Sequence, residues 1–246
     1  MKVKIYRFKT AKELAKSVAD NFAQTVQNFV KEGENLNVAL SGGNTPRILF
    51  ESLAQPAYGN RINWNHVHFF WGDERCVPPD DPQSNYGLAY KSLLSHISIP
   101  DKNIHRIKGE NDPILETNRY AEEICGHVLL GEDNWPVFDW ILLGLGTDGH
   151  TASLFPKTPE LEEKNSICVV TTHPETGQKR VSLTLPVINH ARRISFLVTG
   201  ESKTAIVRAI LKNESGSDRY PASQVKPIDG MLEWFLDEIA ASKLEL

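Results

Sequence analysis

The sequence predicts an α/β fold, a Rossmann-like three-layer α/β/α sandwich with a mainly parallel sheet. Strand-like runs of nearly continuous hydrophobicity alternate with helix-like segments, which is typical of strands covered by helices on both faces. Several of these runs end in glycine and charge, as strands do where they enter a loop. With 246 residues, 40% of them hydrophobic, the chain can bury a large core, and we expect one domain over residues 1–246.

The first predicted element is a long amphipathic helix. Thr10 and Glu13 have the spacing of a capping box, apolar residues recur at helical spacing over positions 14–29, and Gly33 supplies a stop. The run NLNVALSGG follows as a short strand that ends in glycines. Thr45 and Pro46 then suit the N-cap and first position of a second helix.

The same pattern continues to the end of the chain. HVHFFWGDE is a buried-looking strand, and a helix is expected from about Ser84 and another from about Pro113 to Leu130. Four more runs rich in β-branched residues follow, and residues 157–180 suit a small excursion with mixed strand direction. A helix over 201–212 and a last strand–helix pair, GMLEWFLDEIAASKL, complete the prediction.

Composition narrows the classes of function. Charged residues make up 24% of the chain and the formal net charge is −4, which argues against a nucleic-acid partner or a basic membrane-binding face. The N-terminal MKVKIYRFKT lacks the apolar run of a signal peptide, and no run is long enough to cross a bilayer. We therefore expect a cytoplasmic protein whose partner is a small molecule or another protein. The sequence does not determine the oligomeric state, and a monomer or small homo-oligomer is expected.

No metal site is predicted. The three cysteines, Cys76, Cys125 and Cys168, have no C-x-x-C spacing, so we expect buried or half-buried thiols and neither a zinc site nor a redox pair. His66 and His68 form an H-x-H pattern without a further histidine or carboxylate at suitable spacing, and we interpret them as structural.

Ligands of parallel α/β sheets bind at the carboxyl ends of the strands, so the residues that end each strand are the candidate site residues. The first such segment, SGGNTP, combines two glycines, two hydroxyls and a helix start, which favours an anion and above all phosphate. A plain strand-to-helix turn is the alternative. Lys203, in GESK, suits the same phosphate site or a solvent-exposed position. We call the candidate anion-binding residues of the first segment the SGGNT cradle; they are Ser41, Gly42, Gly43, Asn44 and Thr45.

The stretch LLGLGTDGHTASLFP contains the G-x-G-x-x-G spacing of a dinucleotide-binding turn. However, Pro156 and Pro159 interrupt the long helix that such a turn needs, and the next strand does not end in an acidic residue. We interpret these glycines as a tight turn that presents Asp148 and His150. Histidine exchanges protons near neutral pH, so His150 suits a general base with Asp148 as its helper. A structural histidine is the alternative.

The segment GDER supplies a third candidate group. Arg75 suits the binding of an anionic oxygen and Asp73 its orientation, with a surface ion-pair cluster as the alternative. A serine hydrolase is disfavoured because no G-x-S-x-G elbow occurs.

These motifs together resemble the 6-phosphogluconolactonase family, within the wider group that includes glucosamine-6-phosphate deaminases. VALSGGNTP, HFFWGDERCVPPDDPQSNYG, WILLGLGTDGHTASLFP, RVSLTLPVIN, FLVTGESKTA and PASQV occur in the family's order over nearly the whole chain. The resemblance implies hydrolysis of 6-phospho-D-glucono-1,5-lactone to 6-phospho-D-gluconate in the oxidative pentose phosphate pathway. It implies neither a metal nor an organic cofactor.

The resemblance also suggests roles. His150, helped by Asp148, would activate water, and Arg75, oriented by Asp73, would stabilise charge on the carbonyl oxygen. The SGGNT cradle, Lys203 and Arg180 would hold the phosphate and sugar, although Arg180 equally suits a solvent-facing strand start.

Two other functions remain open at the sequence level. Deaminase-like sequences carry a glutamate five residues after the D-G-H histidine, where this chain has Phe155, and an aromatic residue where it has Arg75. A sugar-phosphate sensor without turnover would usually add a DNA-binding module, and no basic patch suggests one.

Overall fold

The computed structural model describes residues 2–244, and its strands form two sheets. The strands are β1 (Lys2–Phe8), β2 (Leu36–Leu40), β3 (Val67–Trp71), β4 (Asp73–Arg75), β5 (Ile104–His105), β6 (Trp140–Leu143), β7 (Cys168–Thr172), β8 (Lys179–Leu183), β9 (Arg193–Val198) and β10 (Met231–Asp237). Seven of them pair in parallel in the order β1-β10-β9-β6-β2-β3-β5. The other three form an antiparallel sheet in the order β4-β8-β7.

Helices cover the parallel sheet and connect its strands. They are α1 (Ala11–Glu32), α2 (Asn44–Leu53), α3 (Pro56–Gly59), α4 (Asn85–Ser92), α5 (Pro113–His127), α6 (Leu185–Asn189) and α7 (Thr204–Leu211). Short 3₁₀ turns occupy Trp64–His66, Leu94–His96, Asp101–Asn103, Pro159–Glu162, Glu201–Lys203, Ser217–Arg219 and Pro221–Gln224. The predicted α/β sandwich with a parallel sheet is therefore confirmed.

Helix α1 shows how the sequence pattern builds the core. Thr10 caps it by accepting a hydrogen bond from the Glu13 N–H, and Gly33 ends it in a left-handed conformation at φ 73°. Its apolar stripe is buried, and the ring of Phe22 packs about 6 Å from that of Trp140 in β6. Full burial of such a side chain contributes about 1.5–3 kcal/mol, so this stripe anchors α1 against the sheet.

Two features of the structure differ from the predicted order of elements, and one agrees with it. The sequence analysis predicted no strand at the N-terminus, yet β1 pairs with β10 and lies at the sheet edge. Its residues from Val3 to Phe8 are only half-buried or exposed, so they lack the apolar run of a central strand. Strands β7 and β8 lie in the antiparallel sheet, in agreement with the predicted excursion. The final predicted helix is wrong, because residues 238–243 form turns.

Some predicted boundaries and one thiol also need correction. Gly43, and not Thr45, is the N-cap of α2, since its φ of 100° suits glycine. Helix α5 ends at His127 instead of near Leu130, because Val128 already has extended backbone angles. Cys125 is exposed, in contrast to the expected burial of the thiols. Within residues 2–244, no helix has the length and apolar character needed to cross a membrane.

Gly230, directly before β10, provides a test of the packing of the sheet. A Cβ atom there would lie 2.2 Å from the carbonyl oxygen of Ala191, and overpacking of this kind costs about 1–3 kcal/mol. We expect Gly230→Ala to lower the urea midpoint of unfolding. The control is Gly126→Ala in α5, where an added Cβ atom has no other atom within 4 Å. Its free energy of unfolding should rise by about 0.5–1 kcal/mol, because alanine favours the helix. Equal midpoints for Gly230→Ala and the wild type would contradict this packing.

Candidate active site

A cavity of about 280 Å³ lies at the carboxyl ends of β2, β6 and β9, beneath the antiparallel sheet. These three strands are neighbours, so the loops that follow them meet at one place. The predicted site residues that line the cavity are Ser41, Gly42, Gly43, Asp73, Arg75, His150, Arg180 and Lys203. Asn44, Thr45 and Asp148 are not lining residues but are within two positions of one in the chain. The rule that strand ends carry the ligand site therefore predicted four of the chain segments at this cavity, and Arg180, suggested by the family resemblance alone, lines it as well.

His150 and Asp148 form a tight pair beside the cavity. The Nδ1 atom of His150 lies 2.6 Å from Oδ1 of Asp148, and the backbone N–H of His150 donates to the same oxygen at 3.1 Å. Partial burial by itself raises the pKa of Asp148, but the hydrogen bond from His150 and its charge lower it to about 2. Asp148 is therefore a carboxylate at neutral pH. It engages Nδ1 and leaves Nε2 as the ring nitrogen that can accept a proton.

The glycines of the GLGTDGH turn make this pair possible. A Cβ on Gly146 would lie 2.2 Å from Nδ1 of His150 and 2.4 Å from Oδ1 of Asp148. Gly149 has a φ of 84°, and a Cβ there would lie 2.5 Å from the ring of Tyr220. The interpretation of these glycines as a tight turn that presents a histidine and an aspartate is confirmed.

The SGG segment places unpaired donors at the start of α2. No side chain within residues 2–244 caps this end of the helix, so its first N–H groups stay available. The buried Ser41 Oγ has no hydrogen-bond partner in the same range. Gly42 lies against Asn85: a Cβ atom added at Gly42 would lie 1.8 Å from Oδ1 of Asn85. This geometry suits an anion, because a helix N-terminus attracts negative charge.

Asn44 and Thr45 contribute differently from the three residues before them. The Oγ1 of Thr45 lies 2.8 Å from Oγ1 of Thr199, which directly follows β9. This contact joins the start of α2 to the segment that carries Lys203. Asn44 is exposed and is the first residue of the helix.

Lys203 approaches the cavity from the other side. The preceding Gly200 is held by its N–H, which donates to the carboxylate of Asp237 at 3.0 Å. Burial lowers the pKa of the Lys203 amino group, and the negative charge of Asp148 opposes this shift. Lys203 is thus partly desolvated, and it lines the same cavity as His150.

Two arginines lie directly opposite each other on neighbouring strands of the antiparallel sheet. Arg75 in β4 is the register partner of Arg180 in β8, and Arg180 is buried rather than solvent-facing. Asp73 does not orient Arg75 as predicted: its Oδ2 accepts a 2.6 Å hydrogen bond from Ser153, whose Oγ also accepts one from Arg180 at 3.3 Å. The guanidinium of Arg75 instead donates to the carbonyl of Gln83. Asp73 therefore positions Arg180 through Ser153.

Sequence reasoning missed Ser153 and Asn85. Asn85, the first residue of α4, donates from Nδ2 to the carbonyl oxygen of Asp73 at 2.9 Å and is buried. Ser153 is fully buried and contacts Asp73 and Arg180, which line the cavity. Ser153 follows His150 by three positions in the same turn, and this proximity was the one sequence signal that pointed to it.

Several polar atoms at the cavity have no partner. Within residues 2–244, this applies to Oγ of Ser41 and to Nε of Arg75 and Arg180. An unpaired buried polar group costs about 1–3 kcal/mol, so three around one cavity suit the binding of an anionic or polar ligand. The ring of Phe155 packs near two of the cavity residues. Its centroid lies 4.9 Å from that of the His150 ring and 5.5 Å from the guanidinium carbon of Arg180.

A family model described as glucosamine-6-phosphate isomerases/6-phosphogluconolactonase matches residues 9–234. The chain belongs to this family. A 6-phosphogluconolactonase of Haemophilus influenzae is 45% identical over 230 residues, which cover 94% of this chain and 97% of that protein. Another from Aggregatibacter actinomycetemcomitans is 43% identical over 237 residues, 96% of this chain and 98% of that one. The family resemblance read from the motifs is confirmed.

Several solved structures have the same fold as this chain. The crystal structure of devB protein superposes with a TM-score of 0.92 at 44% identity and covers 99% of this chain and 100% of its own. The 6-phosphogluconolactonase of Trypanosoma brucei gives 0.89 at 28% identity, with 99% of each chain covered. A monomeric glucosamine-6-phosphate deaminase, at 22% identity and a TM-score of 0.79, shares the fold.

The close approach at Gly146 gives a test of the His150–Asp148 pair. We expect Gly146→Ala to separate the two side chains, because its Cβ would overlap both. Nitrogen-15 NMR of the imidazole should show a Nδ1–H tautomer in the wild type and a mixture of tautomers in the variant. The control, Gly144→Ala, meets nothing within 4 Å and should keep the wild-type signals. An unchanged tautomer in Gly146→Ala would contradict this geometry.

Proposed function

We propose that the chain hydrolyses 6-phospho-D-glucono-1,5-lactone to 6-phospho-D-gluconate, the second step of the oxidative pentose phosphate pathway. Relatives of 42–45% identity over most of their length carry the name 6-phosphogluconolactonase. One observation supports this chemistry above others. A histidine–aspartate pair and unpaired anion-binding donors line the same cavity, as a substrate with a phosphate and an ester carbonyl requires.

The phosphate lies, on this proposal, at the start of α2. Ser41, Gly42 and Gly43, with the first-turn N–H groups of Asn44 and Thr45, donate to its oxygens. Lys203 and Arg180 supply positive charge. The length of the sugar then separates the phosphate from the lactone carbonyl, which reaches His150.

His150 acts as the general base. Its Nε2 accepts a proton from a water molecule while the water oxygen forms a bond to C1 of the lactone. The tetrahedral intermediate then breaks its bond between C1 and the ring oxygen, and the imidazolium returns the proton to that oxygen. Asp148, which stays ionised, holds the ring and stabilises its charged form. General-base assistance of this kind contributes about 10² to 10⁴ in rate.

Arg75 stabilises the negative charge that develops on the carbonyl oxygen. Its guanidinium is fixed by the Gln83 carbonyl, and its Nε has no other partner within residues 2–244. One preorganised donor to such an oxyanion contributes about 10² to 10³ in rate. Asp73 supports the reaction indirectly, through Ser153 and Arg180.

The deaminase alternative is not favoured. Its proton relay needs a carboxylate beyond the histidine, and the corresponding Phe155 is a fully buried aromatic ring. A non-catalytic sugar-phosphate sensor has no specific support in the site. One domain over residues 1–246, a cytoplasmic location and a monomeric or small homo-oligomeric state stay predictions.

The direct experiment adds purified protein to freshly prepared 6-phosphogluconolactone and follows acid release above the spontaneous rate. We expect acceleration by the wild type and a kcat at least about 10²-fold lower for His150→Ala, because the general base is lost. The control His96→Ala removes an exposed histidine bonded to the carbonyl of Lys91 and should behave as the wild type. Absence of acceleration, or release of ammonia from glucosamine 6-phosphate, would overturn the proposed function.

Lys203→Met tests the phosphate site. A hydrogen bond to a charged group contributes about 1.5–3 kcal/mol, so we expect KM to rise by about 10- to 100-fold with a much smaller change in kcat. Lys31→Met removes an exposed lysine at the end of α1 and is the matched control. An unchanged KM in Lys203→Met would remove this lysine from the substrate site.

A further inference from the structure

Three histidines and a glutamate converge at a place that the proposed reaction does not use. His68 lies in β3, His105 in the edge strand β5, and Glu123 and His127 lie four residues apart on α5. The Nδ1 atom of His105 is 2.6 Å from Oε1 of Glu123, and the rings of His105 and His127 have centroids 4.2 Å apart. None of these four side chains lines the candidate active site.

The possible ligand atoms of His105, Glu123 and His127 lie within 4.8 Å of one another. Zinc bonds of about 2.0–2.2 Å in a tetrahedral site place neighbouring ligand atoms about 3.4 Å apart. The present separations of up to 4.8 Å are therefore close to those of a zinc coordination shell. Two imidazoles and one carboxylate are donors that suit Zn²⁺, whereas Ca²⁺ and Mg²⁺ prefer oxygen alone.

The contacts around the three residues match the outer hydrogen bonds of metal ligands. Metal-binding histidines typically use one ring nitrogen for the ion and the other for a hydrogen bond. Nε2 of His105 is 2.9 Å from Nδ1 of His68, which leaves Nδ1 of His105 facing Glu123. Nδ1 of His127 is 2.9 Å from the backbone oxygen of Glu123, which leaves its Nε2. Arg119 donates to the second carboxylate oxygen of Glu123 at 3.4 Å.

We propose that His105, Glu123 and His127 bind one zinc ion, with His68 as a positioning residue for His105. The side chain of His105 is 2% exposed, those of Glu123 and His127 31% and 39%. The ion therefore enters from the solvent side and meets one ligand that is already fixed. Three protein ligands leave a coordination position for water. The site joins α5 to the two-residue strand β5, so zinc should stabilise this edge of the sheet.

The first experiment uses the chelator-treated full chain. Calorimetric titration with zinc chloride should give one ion per chain at this site, and the thermal midpoint should rise with zinc in a saturable way. Crystals soaked with zinc should show an anomalous peak among His105, Glu123 and His127. A peak only at other residues, or no saturable binding, would overturn the proposal.

Matched variants separate this site from other zinc-binding groups. His127→Ala removes a half-exposed ligand at the end of α5, and we expect zinc to bind at least about tenfold more weakly. His96→Ala, outside the cluster, and His150→Ala, at the candidate active site, should keep the wild-type affinity for the proposed ion. Circular dichroism without zinc checks that His127→Ala folds. Equal zinc affinity of folded His127→Ala and His96→Ala would refute the site.

Discussion

The candidate active site depends on close contacts that only glycine permits. At Gly42 a side chain would overlap Asn85, at Gly146 it would overlap His150, and at Gly149 it would overlap the ring of Tyr220. Each contact joins a strand-end loop to a side chain that must occupy the same small space. The glycines therefore determine how near the reactive groups can approach one another, and the polar residues can act together because of this closeness.

A second constraint is the change of direction after β3. The chain leaves the parallel sheet at Gly72, whose N–H donates to Leu40 in β2 and whose carbonyl accepts from Leu183. Tyr120 of α5 holds the preceding Trp71 through both its N–H and its carbonyl, at 2.7 and 2.8 Å. Because β4 begins only two residues after β3 ends, the antiparallel sheet lies close to the carboxyl end of β3, and its two arginines line the cavity.

Strand-end reasoning predicted most of the residues that line the candidate site, because the signals it uses are local in the sequence. The apolar run of a strand and the glycines after it can be read from a few adjacent residues, and these located Ser41, His150 and Lys203. The partner of Asp73 could not be read in this way, since Ser153 is eighty positions away in the chain and the contact depends on the packing of two sheets. Strand β1 escaped detection because a half-buried edge strand carries a weak hydrophobic signal.

The histidine cluster also depends on contacts between residues that are far apart in the sequence. Glu123 and His127 have the four-residue spacing that places both on one face of a helix, and this signal was present in the sequence. His105 comes from a strand of only two residues, which no periodicity reveals. The expectation that His68 is merely structural rested on sequence neighbours, whereas the relevant histidine is 37 positions away.

The register of the small sheet has an electrostatic consequence. Arg75 and Arg180 are directly opposed on neighbouring antiparallel strands, and like charges in this relation repel. Asp73 offsets part of this repulsion, and both arginines line the same cavity. On the proposed function, a substrate whose phosphate meets Arg180 and whose carbonyl oxygen meets Arg75 would relieve this repulsion. The fold thus gives up some of its own stability at this position to favour the ligand-bound state.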